Sequence, residues 1–223
     1  MSVPRPRSRT RSCLAVAAVG ALVLGWGGPA LAEQQGPTTV EPAGAAFSAE
    51  LVGSAIFTAG DVTITCGISL TSPGDGNNLV PDAPDNHNPD GAVGGPINAP
   101  NFTDCTTDVI LVDATVTVSD PVWQMTMQNG SPSLATMVVP AAGIVVNTTG
   151  LATCTATVSP TADAPIEGVW SNGDPASTLA FDTATAVVVE GGFGCPNVDE
   201  AGFTATYAVT NADDPASPIT VSG

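Results

Sequence analysis

His87 is the only histidine of the chain, and it stands in Pro84-Asp85-Asn86-His87-Asn88-Pro89-Asp90, a loop by composition. A general base needs a nucleophile or a second titrating group held beside it. Nothing in the spacing supplies one. Gly130-Ser131-Pro132 lacks the glycine pattern of a serine-nucleophile turn. Paired carboxylates such as Asp199-Glu200 or Asp82 and Asp85 could do acid–base work, but 21 acidic residues make chance pairs common. No catalytic residue is assigned. An enzyme, if there were one here, would be a carboxylate hydrolase, and a non-enzyme is expected.

The same loop holds a partial cation motif. Asn86-x-Asn88-x-Asp90-Gly91 places oxygen ligands at alternate positions before a glycine, as a calcium loop begins, and Asp85 precedes it. The twelfth position from Asn86 is Ile97, where an EF-hand needs a bidentate glutamate. Asp85, Asn86, Asn88 and Asp90 are therefore a candidate calcium set on half a motif; an ordinary polar surface loop is the plainer reading. No other cofactor is expected.

The start of the chain sets the compartment. Arg5, Arg7, Arg9 and Arg11 precede an apolar run from Cys13 to Trp26, and Ala30-Leu31-Ala32 follows a Gly-Gly-Pro break. A basic start, a short apolar middle and an A-x-A end predict a signal peptide cleaved after Ala32 and a secreted, extracellular product. The run is shorter than the ~20 residues that cross a bilayer, so no transmembrane anchor is expected. Cys13 leaves with the leader. Cys66, Cys105, Cys154 and Cys195 remain, and four cysteines in an exported chain predict two disulfides. Zinc would need ligands that these bridges consume.

Three pairings are open, and an internal repeat favours one. Thr65-Cys66-Gly67-Ile68-Ser69-Leu70-Thr71 resembles Thr153-Cys154-Thr155-Ala156-Thr157-Val158-Ser159. Cys66 and Cys154 are 88 residues apart, and Cys105 and Cys195 are 90 apart. Alternating Ala114, Val116, Val118 after Cys105 match Phe203, Ala205, Tyr207, Val209 after Cys195. Two similar halves would each close their own loop, giving Cys66–Cys105 and Cys154–Cys195, each worth about 4 kcal/mol in the chain-entropy model.

Strands must position these cysteines. Val62, Ile64, Cys66, Ile68 and Leu70 alternate with Thr63, Thr65, Gly67 and Ser69, the period of a strand with one apolar face. Further strands are predicted over 46–52, 109–118, 122–127, 134–139, 143–147, 166–170, 178–189 with a break, and 202–209. Asn129-Gly130 and Asn172-Gly173 read as hairpin turns. Thr and Val dominate short runs cut by Gly, Pro and Asn, and no stretch reads as a helix. The expected fold is all-β, an antiparallel β-sandwich or barrel with two disulfides and a weak two-fold repeat. Residues 33–43 read as a flexible lead-in, and 44–223 as one domain of two halves, about 44–140 and 141–223. Trp123, Met125 and Met127 alternate along one strand; they pack in the core or form an exposed apolar stripe that meets lipid or hydrocarbon. Asn101-Phe102-Thr103 and Asn147-Thr148-Thr149 match the glycosylation acceptor pattern.

All four Lys and Arg residues lie in the leader, and all 21 Asp and Glu lie beyond it. A chain without cations cannot grip phosphates, so no nucleic-acid partner is expected, and anionic membranes should repel it.

Several of these features resemble the family of secreted protein activators of alkane oxidation and related secreted β-proteins. They are Ala43 and Phe47 opening the first strand, Thr63–Leu70 around the first cysteine, and Phe102-Thr103-x-Cys105 at the second. Pro121-x-Trp123, Thr153-Cys154, Gly168-x-Trp170-Ser171-Asn172, Ser177-Thr178-Leu179-x-Phe181 and Gly194-Cys195 complete the set. The likeness covers roughly residues 43–210, and an acidic insert over about Pro73–Pro100 departs from it. It implies a non-enzymatic extracellular accessory protein that mediates contact with hydrophobic substrates or surfaces. Hydrocarbon, lipid or a cell surface would be its partner. The alternative is a structural or adhesive cell-envelope protein, with a calcium-stabilised acidic loop.

Overall fold

The computed structural model describes residues 36–223; the signal peptide and cleavage after Ala32 expected from the sequence lie outside them. Every regular element in it is a strand. In chain order these are β1 (Thr38–Glu41), β2 (Phe47–Leu51), β3 (Ala55–Ala59), β4 (Val62–Ile68), β5 (Leu70–Thr71) and β6 (His87–Asn88). Then come β7 (Val93–Asn98), β8 (Thr103–Thr107), β9 (Val112–Val118), β10 (Val122–Gln128), β11 (Ser133–Val139) and β12 (Ile144–Gly150). The last five are β13 (Cys154–Val158), β14 (Ala164–Ser171), β15 (Ser177–Gly191), β16 (Glu200–Asn211) and β17 (Thr220–Ser222).

Eight strands close into an antiparallel barrel in the order β3-β4-β8-β9-β12-β13-β15-β16, with β16 pairing back onto β3. Four of them come from residues 44–140 and four from 141–223. The cysteine-bearing β4 and β13 hold equivalent places in the two sets, and β9–β12 and β16–β3 are the seams between them. Of the sandwich or barrel expected, the barrel forms, because pairing at both seams leaves its eight strands no free edge.

Both predicted disulfides are present. Cys66 and Cys105 face each other across the β4–β8 ladder. Cys154, at the start of β13, reaches Cys195 in the loop after β15.

A second ring grows from the same spine. β15 runs uninterrupted through the break expected within 178–189. Its first part pairs with β14 and its last with β13, while β16 pairs with β3 near its start and β2 near its end. From β15 the sheet continues β14-β11-β10-β7, and from β16 it continues to β2. Residues 77–80 bridge the two edges. Asn78 N–H donates to Pro96 O at 3.0 Å, and its carbonyl accepts from Phe47 N–H at 2.9 Å. Val80 N–H donates to Ala45 O at 2.9 Å. The acidic insert thus supplies the last wall of this ring.

A small sheet, β17-β1-β6, sits where the β10–β11 and β14–β15 connections turn. Thr38 in β1 is buried and accepts from Asn129 N–H and Gln128 Nε2, each at 3.0 Å. Asn172 clamps β17 with two bonds of 2.8 Å to the main chain of Val221. Residues 38–41, read as part of a flexible lead-in, are therefore an ordered, half-buried strand. Their period-two burial is carried by only four residues, too few to stand out from the Pro- and Gly-rich sequence around them.

One apolar core runs through both rings. An aromatic chain links them: Phe57 and Phe102 each lie against Phe203, at 5.0 and 6.1 Å between ring centres, and Phe181 reaches both Phe203 and Tyr207. Two local expectations change. Ile68 is 53% exposed and Leu70 39%, while Ser69 is buried. The chain leaves β4 after Ile68, and β5 restarts on the opposite phase so that Ser69 can bond Tyr207. Asn129-Gly130 opens a four-residue connection, since Pro132 precedes β11 and cannot enter a two-residue turn on the ladder.

Candidate functional site

The chemistry-bearing residues do not converge. His87 is exposed on β6, its Nδ1 2.8 Å from Thr39 Oγ1. Among the described residues no three His, Cys, Asp or Glu side chains gather as metal ligands would. Asn86 and Asn88 have other partners. Buried Asn86 donates from Nδ2 to Val40 O at 3.1 Å, pinning its loop to β1. Asn88 donates to Ala92 O at 2.8 Å and accepts from Asp90 N–H at 3.0 Å. Asp85 and Asp90 lie exposed beside them. Of the half-motif, Asn86 is tied to β1 and Asn88 to its own turn. Of the two glycosylation-type asparagines, Asn101 accepts from Leu70 N–H at 2.8 Å, and Asn147 accepts from Thr155 Oγ1 at 3.0 Å.

Trp123, Met125 and Met127 do not form a surface stripe. Trp123 is 1% exposed, Met127 is buried and Met125 is half-buried against the core. The alternation places all three on the inner side of β10, which faces the second ring's interior. Trp123 also spends its indole N–H on Asp120 O at 3.0 Å.

The four most exposed large apolar side chains lie elsewhere, at one end of the barrel. Its four short connections, 60–61, 108–111, 151–153 and 192–199, all turn at that end, because β4 starts where β8 ends, β9 starts where β12 ends, and β13 starts where β15 ends. These turns touch. Leu151 N–H donates to Leu111 O at 3.1 Å. Gly150, at φ 104°, lets Leu111 O approach where a side chain would clash. Gly60 stands against Val198 and Pro196. From this rim project Ile110 at 80% exposure, Leu111 at 74%, Leu151 at 71% and Phe193 at 98%. Beneath them Val112, Ala152 and Cys154 form a small separate core, joined by Val189 and Cys195. A hollow of about 40 Å³ opens among Val109, Val112, Ala152 and Pro196.

Sequence reasoning placed Val109–Leu111 inside a strand. The strand begins only at Val112, since Leu111 takes a left-handed φ of 59° and turns the chain. A signal was present. The apolar run 109–112 is bracketed by Asp108 and Asp113, and Phe193 stands between Gly192 and Gly194, a turn composition around a large apolar side chain.

One buried titratable group is strongly perturbed. Burial pushes the phenol of Tyr207 up to about 12, partly offset by its hydrogen bond with Ser69. Ser69 Oγ lies 2.8 Å from the phenol oxygen inside the core. The pair joins the segment after β4 to β16. Among the described residues no helix is long and apolar enough to cross a membrane. Comparison with known proteins finds no matching family, no similar curated protein and no similar solved structure.

Proposed function

We propose that this chain is an exported, non-enzymatic accessory protein that meets apolar surfaces through the hairpin tips of its barrel. The observation that carries the reading is the convergence of Ile110, Leu111, Leu151 and Phe193, all more than 70% exposed, on one barrel end. Large side chains held this far out cost solubility and contribute nothing to the core. Their burial in an oil phase is worth on the order of 6–12 kcal/mol before association costs. Two disulfides in a chain with a signal-like start support an oxidising, extracellular setting. The resemblance to secreted activators of alkane oxidation points to the same role.

The charge selects the surface. Asp61, Asp108, Asp113 and Asp199 stand beside the tips, and residues 33–223 contain no Lys or Arg. An anionic lipid headgroup would be repelled, whereas a hydrocarbon or other uncharged apolar phase would not.

Partition of the purified protein onto hexadecane droplets tests the reading. Wild type should bind at least tenfold more than the Ile110→Ser/Leu111→Ser/Phe193→Ser variant, whose changes lie in solvent and leave the fold intact. Binding no greater than that of an equally acidic control protein would remove the proposal. Equal binding by wild type and variant would remove the tips from it.

A further inference from the structure

We infer that a second apolar site exists inside the other ring: the cavity facing Gly95 binds the end of an unbranched, uncharged alkyl chain. On β7 and β10 the inward-facing pairs are Ile97 with Trp123, Gly95 with Met125, and Val93 with Met127. Two of these pairs fill their space and the middle one does not, because Gly95 contributes no side chain. The gap is a cavity of about 60 Å³ walled by Phe47, Leu79, Met125, Trp170 and Leu179 among others. It stands on this geometry alone and not on the barrel tips.

Size and polarity narrow the occupant. One water needs about 10–15 Å³ of such space and two to four polar partners. The cavity is several times that size and offers almost none. The hydroxyl in its lining, on Thr71, is already donated to Asn98 O at 2.6 Å. A cavity that admits benzene measures about 150 Å³, so an aromatic ring is too bulky here and a slim chain end fits. Leu79, 40% exposed on the bridging segment, marks the thin wall through which a chain would enter. A carboxylate or phosphate head outside would find no Lys or Arg anywhere in residues 33–223 and would meet Asp82 beside the lining Pro81. The head must therefore be absent or uncharged.

Gly95 also supplies the test. Its φ is not left-handed, and a Cβ there would meet nothing nearer than Leu79 O at 3.7 Å. Gly95→Val should fold, plug the cavity and raise Tm. Saturating n-hexane should raise the Tm of the wild-type protein by at least about 2 °C and shift tryptophan emission through Trp170. Cyclohexane should do neither. Gly95→Val should show no hexane response, and the tip variant Ile110→Ser/Leu111→Ser/Phe193→Ser should respond as wild type. An unresponsive wild type overturns the inference, as does a Gly95→Val protein that responds undiminished, or cyclohexane acting as strongly as n-hexane. If Gly95→Val does not fold, Gly95→Ala decides: a weakened response supports the site, and an unchanged one removes it.

Discussion

The main-chain N–H of Asn98 donates to the side-chain Oδ1 of Asn78 at 2.7 Å, and this bond locks the segment that closes the second ring. Asn78 is fully buried and its Nδ2 donates to Thr71 Oγ1 at 3.0 Å. Its φ of 57° lies in the left-handed region that asparagine tolerates better than most residues. One side chain thus joins β5 and β7, while its own main chain joins β7 to β2.

Asn78→Ala should therefore destabilise by about 3–5 kcal/mol. It strands a buried N–H and strains the backbone. Asn78→Gly keeps the backbone and loses only the bonds, so about 2–3 kcal/mol is expected. Urea unfolding of both variants measures the difference. Equal losses would show that the backbone conformation contributes nothing.

Tyr207 makes stability fall at high pH. Its phenol titrates near 10 when unfolded and at about 12 when folded. The folded state holds the proton more tightly, so the contribution is complete below pH 10 and is lost as pH rises from there through about 12. Tyr207 is the only tyrosine, so tyrosinate absorbance reports it alone. Tyr207→Phe should cost about 1 kcal/mol at neutral pH and flatten the alkaline slope. A slope unchanged in that variant would assign it to another group.

The two disulfides should differ in what they hold. They close loops of similar length, 39 and 41 residues, so the chain-entropy model assigns each about 4 kcal/mol. Cys66 is wholly inside the core, whereas Cys195 sits half-buried in the loop that carries Phe193. Removing Cys66–Cys105 as a double Ala variant should lower Tm more than removing Cys154–Cys195. The second variant should instead become sensitive to an acid-directed protease near Glu190, Asp199 and Glu200, with mass spectrometry locating the cuts. Trypsin finds no Lys or Arg between residues 33 and 223.

Unscreened carboxylates should make the protein salt-stabilised. With 21 acidic residues and no Lys or Arg beyond residue 32, repulsion at neutral pH opposes compaction. Tm at pH 7 should rise as salt shortens the Debye length below about 10 Å, and rise again under mild acid. A melting temperature independent of salt would refute this.

Strand content was legible from local pattern and the disulfide pairing from the repeat, whereas the choice of barrel over sandwich rests on the long-range β9–β12 and β16–β3 pairings. Alternation around Cys66 and Cys154 marks strands, and the spacing of 88 and 90 residues marks equivalence. The candidate contact residues were not legible in the same way. Trp123, Met125 and Met127 alternate as either a core face or a surface stripe would, and period two cannot say which side of a sheet is covered. Ile110 and Leu111 look like strand residues until the left-handed Leu111 turns them outward.

The sequence by itself determined that the chain beyond residue 32 carries no Lys or Arg and is all-β and twice bridged. Composition, period and cysteine spacing are properties of the chain before it folds. Only the tertiary structure decided which apolar residues meet water. Barrel closure brought four distant turns to one end and exposed Phe193 and Ile110, while the insert wrapped Met125 and Met127 inside and left a gap at Gly95. Burial is set by what a residue faces across the fold, and those neighbours lie from 20 residues away in sequence, as with Asn78 and Asn98, to most of the chain away, as with Phe47 and Asn211.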